Sequence, residues 1–162
     1  MLDTVDALFA PKSALPPCDE RIGELYRYWL SVWPAPDLLP GRKHCNPIDI
    51  PRLLPRVWLA DVHRHPLRFK YRLVGTACVE ATGSEPTGRW LDEVHPRFLG
   101  SAVNPHFEAA AERAQVAYYR GPPAYITTIY ERKWKTLERL ILPLAQDGLH
   151  VDMLLGFTTL GE

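Results

Sequence analysis

The sequence lacks several features that define large functional classes. It has three cysteines in 162 residues, Cys18, Cys45 and Cys78, without CxxC or zinc-ligand spacing, so we expect free thiols, no disulfide framework and no metal site. Nineteen basic and nineteen acidic residues leave no net charge. This balance does not favour nucleic acid or an anionic membrane as a partner. We therefore expect a protein that binds no nucleic acid.

Membrane and catalytic signatures are also absent. No apolar run approaches the roughly 18 residues that a membrane span needs, and Asp3 and Asp6 give the start of the chain the wrong charge for a secretory signal. We expect a cytoplasmic protein without a membrane span. The sequence contains no GxSxG elbow, no glycine loop of the Walker type and no HExxH motif. These absences predict a protein that is not an enzyme.

Hydrophobic residues make up 46% of the chain, which is enough to bury one sizeable core. Three regions are expected. Residues 1–18 carry a pair of prolines at 16–17 and are predicted to form a flexible arm or one weak helical turn. Residues 19–45 are predicted to form a helix and a loop, and residues 46–162 the core domain.

The N-terminal helix is predicted to begin after Asp19, a residue that is favoured as an N-cap. It carries an apolar stripe with a 3.6-residue period, formed by Ile22, Leu25, Tyr26, Trp29, Leu30 and Trp33. Large aromatic side chains on one stripe need cover, which either the domain's own sheet or a second copy of the helix can provide. Leu25, Trp29 and Trp33 are our candidate contacts for a homodimer.

Alternation and turn residues predict five strands, at Val57 to His63, Phe69 to Gly75, Tyr125 to Tyr130, Leu137 to Ala145 and Val151 to Thr159. Asp147-Gly148 supplies the positive φ that the last hairpin needs. Before the third strand we expect a short helix from Thr76 to Ala81, closed by Gly83, and a long helix from Asn104 to Tyr119. This order indicates an α+β fold in which an antiparallel sheet cups a pocket under helices.

The region from about Leu25 to Thr159 resembles the PAS sensory domains. The motifs that carry the resemblance are Leu73-Val74-Gly75-Thr76-Ala77, Thr82-Gly83, Thr87-Gly88-Arg89 with Leu91-Asp92-Glu93-Val94, Gly121-Pro122-Pro123, and Leu142-Pro143-Leu144 with Asp147-Gly148. The N-terminal helix and the D-I-P-x-L-L-P element at 49–55 are similar to a bacterial subfamily of stand-alone PAS proteins. The resemblance implies a five-stranded antiparallel sheet in the order 2-1-5-4-3. Helices would cover one face and the extra N-terminal helix the other.

The chain departs from the flavin-binding light sensors of this family. Those members carry an Asn-Cys-Arg-Phe-Leu-Gln run around a reactive cysteine, whereas this chain has Thr-Ala-Cys-Val-Glu-Ala at 76–81. A photochemical adduct at Cys78 is therefore not expected, and the identity of any cofactor stays open.

Five residues are candidates for ligand binding, namely Tyr71, Arg72, His106, Tyr118 and Arg139. A strand arginine such as Arg72 either extends to solvent or holds a ligand carboxylate or a partner's Glu, and Arg139 has the same two alternatives. His106 lies on the element from which haem-binding members of the family donate an axial ligand. Its position in the first turn, off the apolar seam of that helix, favours an exposed histidine.

Three hypotheses on function follow. The preferred one is a non-enzymatic sensory or regulatory PAS protein that acts through contacts with itself and with a signalling partner, with a small ligand in the pocket as a further option. The second is a cone-shaped α+β isomerase or dehydratase, in which Asp61 and His63 share a strand face as acid and base. The third is an adaptor whose pocket is filled by its own side chains.

Overall fold

The computed structural model describes residues 4–123 and 134–162 of the chain. The strands of this part are β1 (Val5–Phe9), β2 (Val57–His63), β3 (Arg68–Val74), β4 (Val116–Gly121), β5 (Thr136–Leu144) and β6 (Met153–Gly161). Its α-helices are α1 (Glu20–Ser31), α2 (Thr76–Thr82), α3 (Leu91–Val94) and α4 (Asn104–Arg113). Three single-turn 3₁₀ helices lie between α1 and β2, at Arg42–His44, Pro47–Asp49 and Leu54–Arg56. The fold is α+β.

The six strands form one antiparallel sheet in the order β1-β4-β5-β6-β2-β3. The whole sheet differs from the predicted five strands in the order 2-1-5-4-3, because β1 adds a sixth strand at one edge. The other five strands, β3-β2-β6-β5-β4, follow the predicted order, but β4 precedes the region assigned to the third strand. The strand predicted from Tyr125 to Tyr130 lies outside the described residues. The prediction that the first core strand is central is confirmed, because β2 lies between β3 and β6.

The segment that we expected to be a flexible arm contains β1. This strand pairs with β4 from Val5 opposite Arg120 to Phe9 opposite Val116. Its side chains alternate between half-buried and exposed along the strand, which is typical of an edge strand with one face on a core. Five residues are too few for this alternation to identify a strand in the sequence. Whether β1 forms a strand therefore depends on its pairing with β4.

Helix α1 packs on one face of the sheet through its aromatic stripe. Asp19 is its N-cap, as predicted, and accepts a hydrogen bond from the backbone N–H of Arg21 at 2.8 Å. Leu25 and Trp29 are completely buried, and Trp29 Nε1 donates to the carbonyl oxygen of Pro143 in β5 at 3.2 Å. The prediction that Leu25 and Trp29 form a homodimer contact is wrong, because the chain's own sheet covers them. Trp33 is half-buried.

The long helix predicted from Asn104 to Tyr119 is six residues shorter in the structure. Helix α4 ends at Arg113, and Ala114 adopts a left-handed backbone with φ of 53°. The residues that follow are rich in β-branched and aromatic side chains, which favour an extended strand, and they pair with β5 as β4. Helix α4 lies on the face of the sheet opposite α1, because Glu138 contacts the α1 N-cap whereas the next residue, Arg139, contacts α4. Helices α2 and α3 lie on the same face as α4, since residues of all three line one cavity.

Two predicted turns are confirmed. Gly148 has φ of 82° in the hairpin between β5 and β6, and Gly83 has φ of 71° at the C-terminus of α2. Both values lie in the left-handed region, which glycine enters without a steric penalty. These turns position α2 and β6 on two sides of the cavity described below.

Candidate functional site

A cavity of about 250 Å³ lies between the sheet and helices α2, α3 and α4. Strands β2, β3 and β6 form its floor, and residues of α2, α4 and the loop around α3 form its walls. Its volume corresponds to about eight water molecules at liquid density and is slightly below the roughly 300 Å³ at which ligand pockets usually begin. The space therefore suits a small molecule.

Aromatic side chains make the deepest part of the cavity. Trp58 of β2 stacks on Phe107 of α4 with ring centroids 5.5 Å apart and planes 15° apart, and the ring of Tyr71 meets Trp58 edge-on at 6.4 Å. The indole N–H of Trp58 donates to Thr158 Oγ1 at 2.9 Å. Stacked and edge-on rings at these distances are favourable arrangements, so the three rings form a packed apolar cluster at the inner end of the cavity.

The position of the Trp58 indole depends on Gly156, the residue directly opposite it on β6. A Cβ atom at Gly156 would lie 2.0 Å from Trp58 Cε2. No real contact is that short, so only glycine lets the indole lie flat against β6. The pair therefore sets the depth of the cavity.

A polar pair lines the cavity beside this floor. Tyr71 Oη lies 2.8 Å from His95 Nε2, and both side chains are buried. Burial lowers the pKa of His95 to about 4, because the charged imidazolium loses its hydration. At neutral pH the imidazole is therefore uncharged, and the pair offers hydrogen bonds without adding charge to the cavity.

Cys78 lines the cavity from α2. Burial raises the pKa of its thiol to about 11, and its Sγ lies 3.5 Å from the carbonyl oxygen of Arg56. A thiol with so high a pKa holds very little of the thiolate that acts as a nucleophile. The surroundings of Cys78 therefore do not favour it as a nucleophile.

Among the predicted ligand-binding residues, Tyr71 lines the cavity and Arg72 does not. The two side chains lie on opposite faces of β3, and that of Arg72 is 63% exposed, with Nε donating to Asp61 Oδ2 at 3.0 Å. Since Arg72 already pairs with a carboxylate on the α1 face of the sheet, the structure separates it from the cavity.

The other three predicted residues also lie away from the cavity lining. Tyr118 is on the α1 face, where its hydroxyl donates to Glu138 at 2.7 Å. His106 and Arg139 form a buried cluster between α4 and the sheet, with Arg139 Nη2 3.4 Å from His106 Nδ1. Arg139 also lies over the ring of Tyr119, at 5.3 Å.

His106 is 2% exposed, so the prediction of an exposed first-turn histidine is wrong. The physical reason is β1, whose Asp6 carboxylate covers His106 and bonds its Nε2. The pKa of His106 is lowered, first by burial and then by the charge of Arg139, and Asp6 opposes both effects. This cluster attaches the N-terminal strand to α4.

The alternative acid–base pair, Asp61 and His63, is not part of the cavity lining. Asp61 pairs with Arg72, and the ring of His63 packs edge-on against Trp90 at 4.9 Å. Each side chain thus has a different neighbour outside the cavity. The enzymatic alternative remains an untested prediction.

Several residues of the cavity escaped the sequence reasoning, above all Trp58, His95 and Gly156. Trp58 lies in a strand with apolar residues on both faces, a signal of central position that does not identify a ligand surface. His95 directly follows Leu91-Asp92-Glu93-Val94, one of the motifs that carry the family resemblance, and this position was the signal in the sequence that could have identified it. Gly156 has no side chain, so only the register of β6 against β2 reveals its role.

Within residues 4–123 and 134–162, no group of three or more His, Cys, Asp or Glu side chains is arranged to hold a metal ion. No helix in that part of the chain has the length and apolar character to cross a membrane.

No protein-family model and no curated protein matches this chain. A solved structure of an RNA-binding light-oxygen-voltage receptor is similar to it, with a TM-score of 0.48 and 15% sequence identity. The alignment covers 97% of this chain and 38% of the receptor chain, so this chain spans well under half of that protein's length. A likeness of this size carries no argument about family, ligand or partner.

Proposed function

We propose that this chain is a PAS-type sensory domain that works without catalysis and signals through protein contacts, with a small ligand in the cavity under α2, α3 and α4. The observation that carries the proposal is the cavity itself, with its aromatic cluster and its uncharged Tyr71–His95 pair. An apolar pocket with a few convergent polar groups is the usual form of a small-molecule site.

The layered packing supports a route from the cavity to the surface. Helix α4 contributes Phe107 to the aromatic stack, and one residue earlier its His106 bonds Asp6 of β1. A ligand that displaces Phe107 would therefore also strain the attachment of the edge strand. Ligand binding would shift the population between two positions of α4, and a second copy of the chain or another signalling protein would detect the change.

Native mass spectrometry of freshly purified protein tests this function. We expect a small molecule to leave with the wild-type protein and to be absent from Ala81→Phe, which adds a ring at a residue that lines the cavity. Glu80→Phe is the matched control, because it adds the same ring at the exposed neighbouring position on α2.

Hydrogen exchange of the same three proteins provides the second measurement. If the cavity controls α4, amide protection in α4 and β1 should differ between the wild type and Ala81→Phe, and Glu80→Phe should match the wild type. A wild type that releases no molecule and exchanges like Ala81→Phe would contradict ligand gating.

A further inference from the structure

We infer that the ligand of this cavity is a small organic anion with an apolar body, whose acidic group is held by Arg56 and Arg89. The inference rests on the proposed function, because it names the class of ligand for the same cavity. Both arginines line the cavity, and none of its described lining residues is an Asp or a Glu. The fixed charge around this space is therefore positive.

The two arginines differ from neighbouring arginines in their partners. Arg68 forms an ion pair with Asp92, and Arg72 forms one with Asp61. In contrast, no ion pair to a described carboxylate involves Arg56 or Arg89. Guanidinium groups bind carboxylates and similar anions through parallel hydrogen bonds, so these two groups retain that capacity at the cavity.

The exposure of the lining residues increases from an apolar interior to a charged rim. Trp58 is 5% exposed and Phe107 1% exposed, whereas Arg56 is half-buried and Arg89 is exposed. His95 adds no positive charge in the interior, because it is neutral at pH 7. A ligand that matches this gradient places its apolar part against the aromatic cluster of Trp58, Tyr71 and Phe107 and its acidic group outward, at the arginines.

The acidic group should increase affinity by roughly tenfold. Hydrogen bonds that involve a charged group contribute more than neutral ones, and about 1.4 kcal/mol corresponds to a factor of ten in affinity. Arg89 is exposed, so water and salt screen part of its attraction. The effect should therefore be a preference of about tenfold rather than of several orders of magnitude.

A pair of probes with the same shape isolates the charge. Binding of 2-naphthoate and of 2-naphthamide is measured by isothermal titration calorimetry, together with the chemical shift of the Trp58 indole N–H. We expect the acid to bind the wild type about tenfold more tightly than the amide and to shift the Trp58 signal. Arg56→Gln and Arg89→Gln should each reduce that preference, and raised salt should weaken the acid more than the amide.

Arg27→Gln is the control, since Arg27 is exposed on α1, on the opposite face of the sheet, and its loss should leave both affinities unchanged. Equal binding of acid and amide to the wild type would overturn the inference while leaving the cavity as a ligand site. If neither probe binds, the inference is also overturned. Release of a neutral molecule in native mass spectrometry would then preserve the proposed function, whereas release of none would remove both. The acid–amide comparison uses the wild type, so it does not depend on how a variant folds.

Discussion

At the scale of single residues, the consequential feature is a histidine that the fold keeps uncharged. His95 is buried beside Tyr71, and burial lowers its pKa to about 4 from an ordinary 6.5. The unfolded chain binds a proton at this position below pH 6.5, whereas the folded protein binds it only near pH 4. The free energy of unfolding therefore falls as the pH drops through this window.

The expected loss at His95 is up to about 3 kcal/mol between pH 6.5 and pH 4, at about 1.4 kcal/mol for each unit of pKa difference. Urea unfolding of the wild type and of His95→Gln at pH 7 and at pH 4.5 measures it. The wild type should lose about 2–3 kcal/mol more than the variant over this interval. His106 acts in the same direction in both proteins, since its pKa is also lowered.

His63→Gln, a change at an exposed position, is the matched control for this experiment. Identical pH dependence of the wild type and His95→Gln would show that His95 becomes protonated without opening its site. The Tyr71–His95 pair would then be able to carry a charge in the folded protein.

At the scale of elements, α1 is part of the core of its own chain. On the stripe, the ring of Trp29 contacts two others, with Tyr26 and Trp29 centroids 6.0 Å apart and Trp29 and Trp33 centroids 5.3 Å apart. The two tryptophans differ in burial, because Trp29 is fully buried against β5 and Trp33 is only half-buried. Their substitutions should therefore have different costs.

Trp29→Ala should lower the free energy of unfolding by about 3–5 kcal/mol, the usual range for deleting a fully buried aromatic side chain, and Trp33→Ala should cost clearly less. Urea unfolding curves at pH 7 measure both values. Sedimentation velocity on the same variants reports the oligomeric state. Equal costs, or a Trp29→Ala protein that stays as stable as the wild type, would mean that the sheet does not anchor α1 through Trp29.

At the scale of the whole molecule, the sheet joins parts of the chain that are far apart in sequence. β1 pairs with β4, more than a hundred residues later, and the Asp6–His106 bond joins β1 to α4. Such an edge strand closes a long loop and has hydrogen-bonded neighbours on one side only. It is therefore more easily separated from the sheet than a central strand.

Removal of residues 1–10 should expose the β4 edge without unfolding the remaining sheet. Hydrogen exchange should become faster in Val116–Gly121, where β4 loses its β1 partner, while Met153–Gly161 in the sheet interior keeps its protection. Leu8→Ser, at an exposed β1 position, should leave both segments unchanged. Uniformly faster exchange throughout the sheet would show instead that β1 is required for global stability.

Sequence reasoning was most successful where the signal is local. The bounds of β2, the N-cap at Asp19 and the left-handed glycines at Gly83 and Gly148 were all predicted, because each depends on a few neighbouring residues. The candidate site was predicted less well. Tyr71 and Arg72 were both assigned to it, although adjacent strand residues point to opposite faces, and the sequence does not say which face looks into the cavity.

The sequence by itself determined the antiparallel α+β character of the chain, the start of α1 and the tight turns, since backbone sterics and side-chain periodicity act over short distances. Tertiary structure alone decided the pairing of β1, the end of α4 at Arg113, the burial of His106 and the fit of Trp58 over Gly156. Each of these depends on strand register and on contacts between residues distant in the chain. The cavity belongs to this second group, because its walls come together only when the sheet and the helices pack.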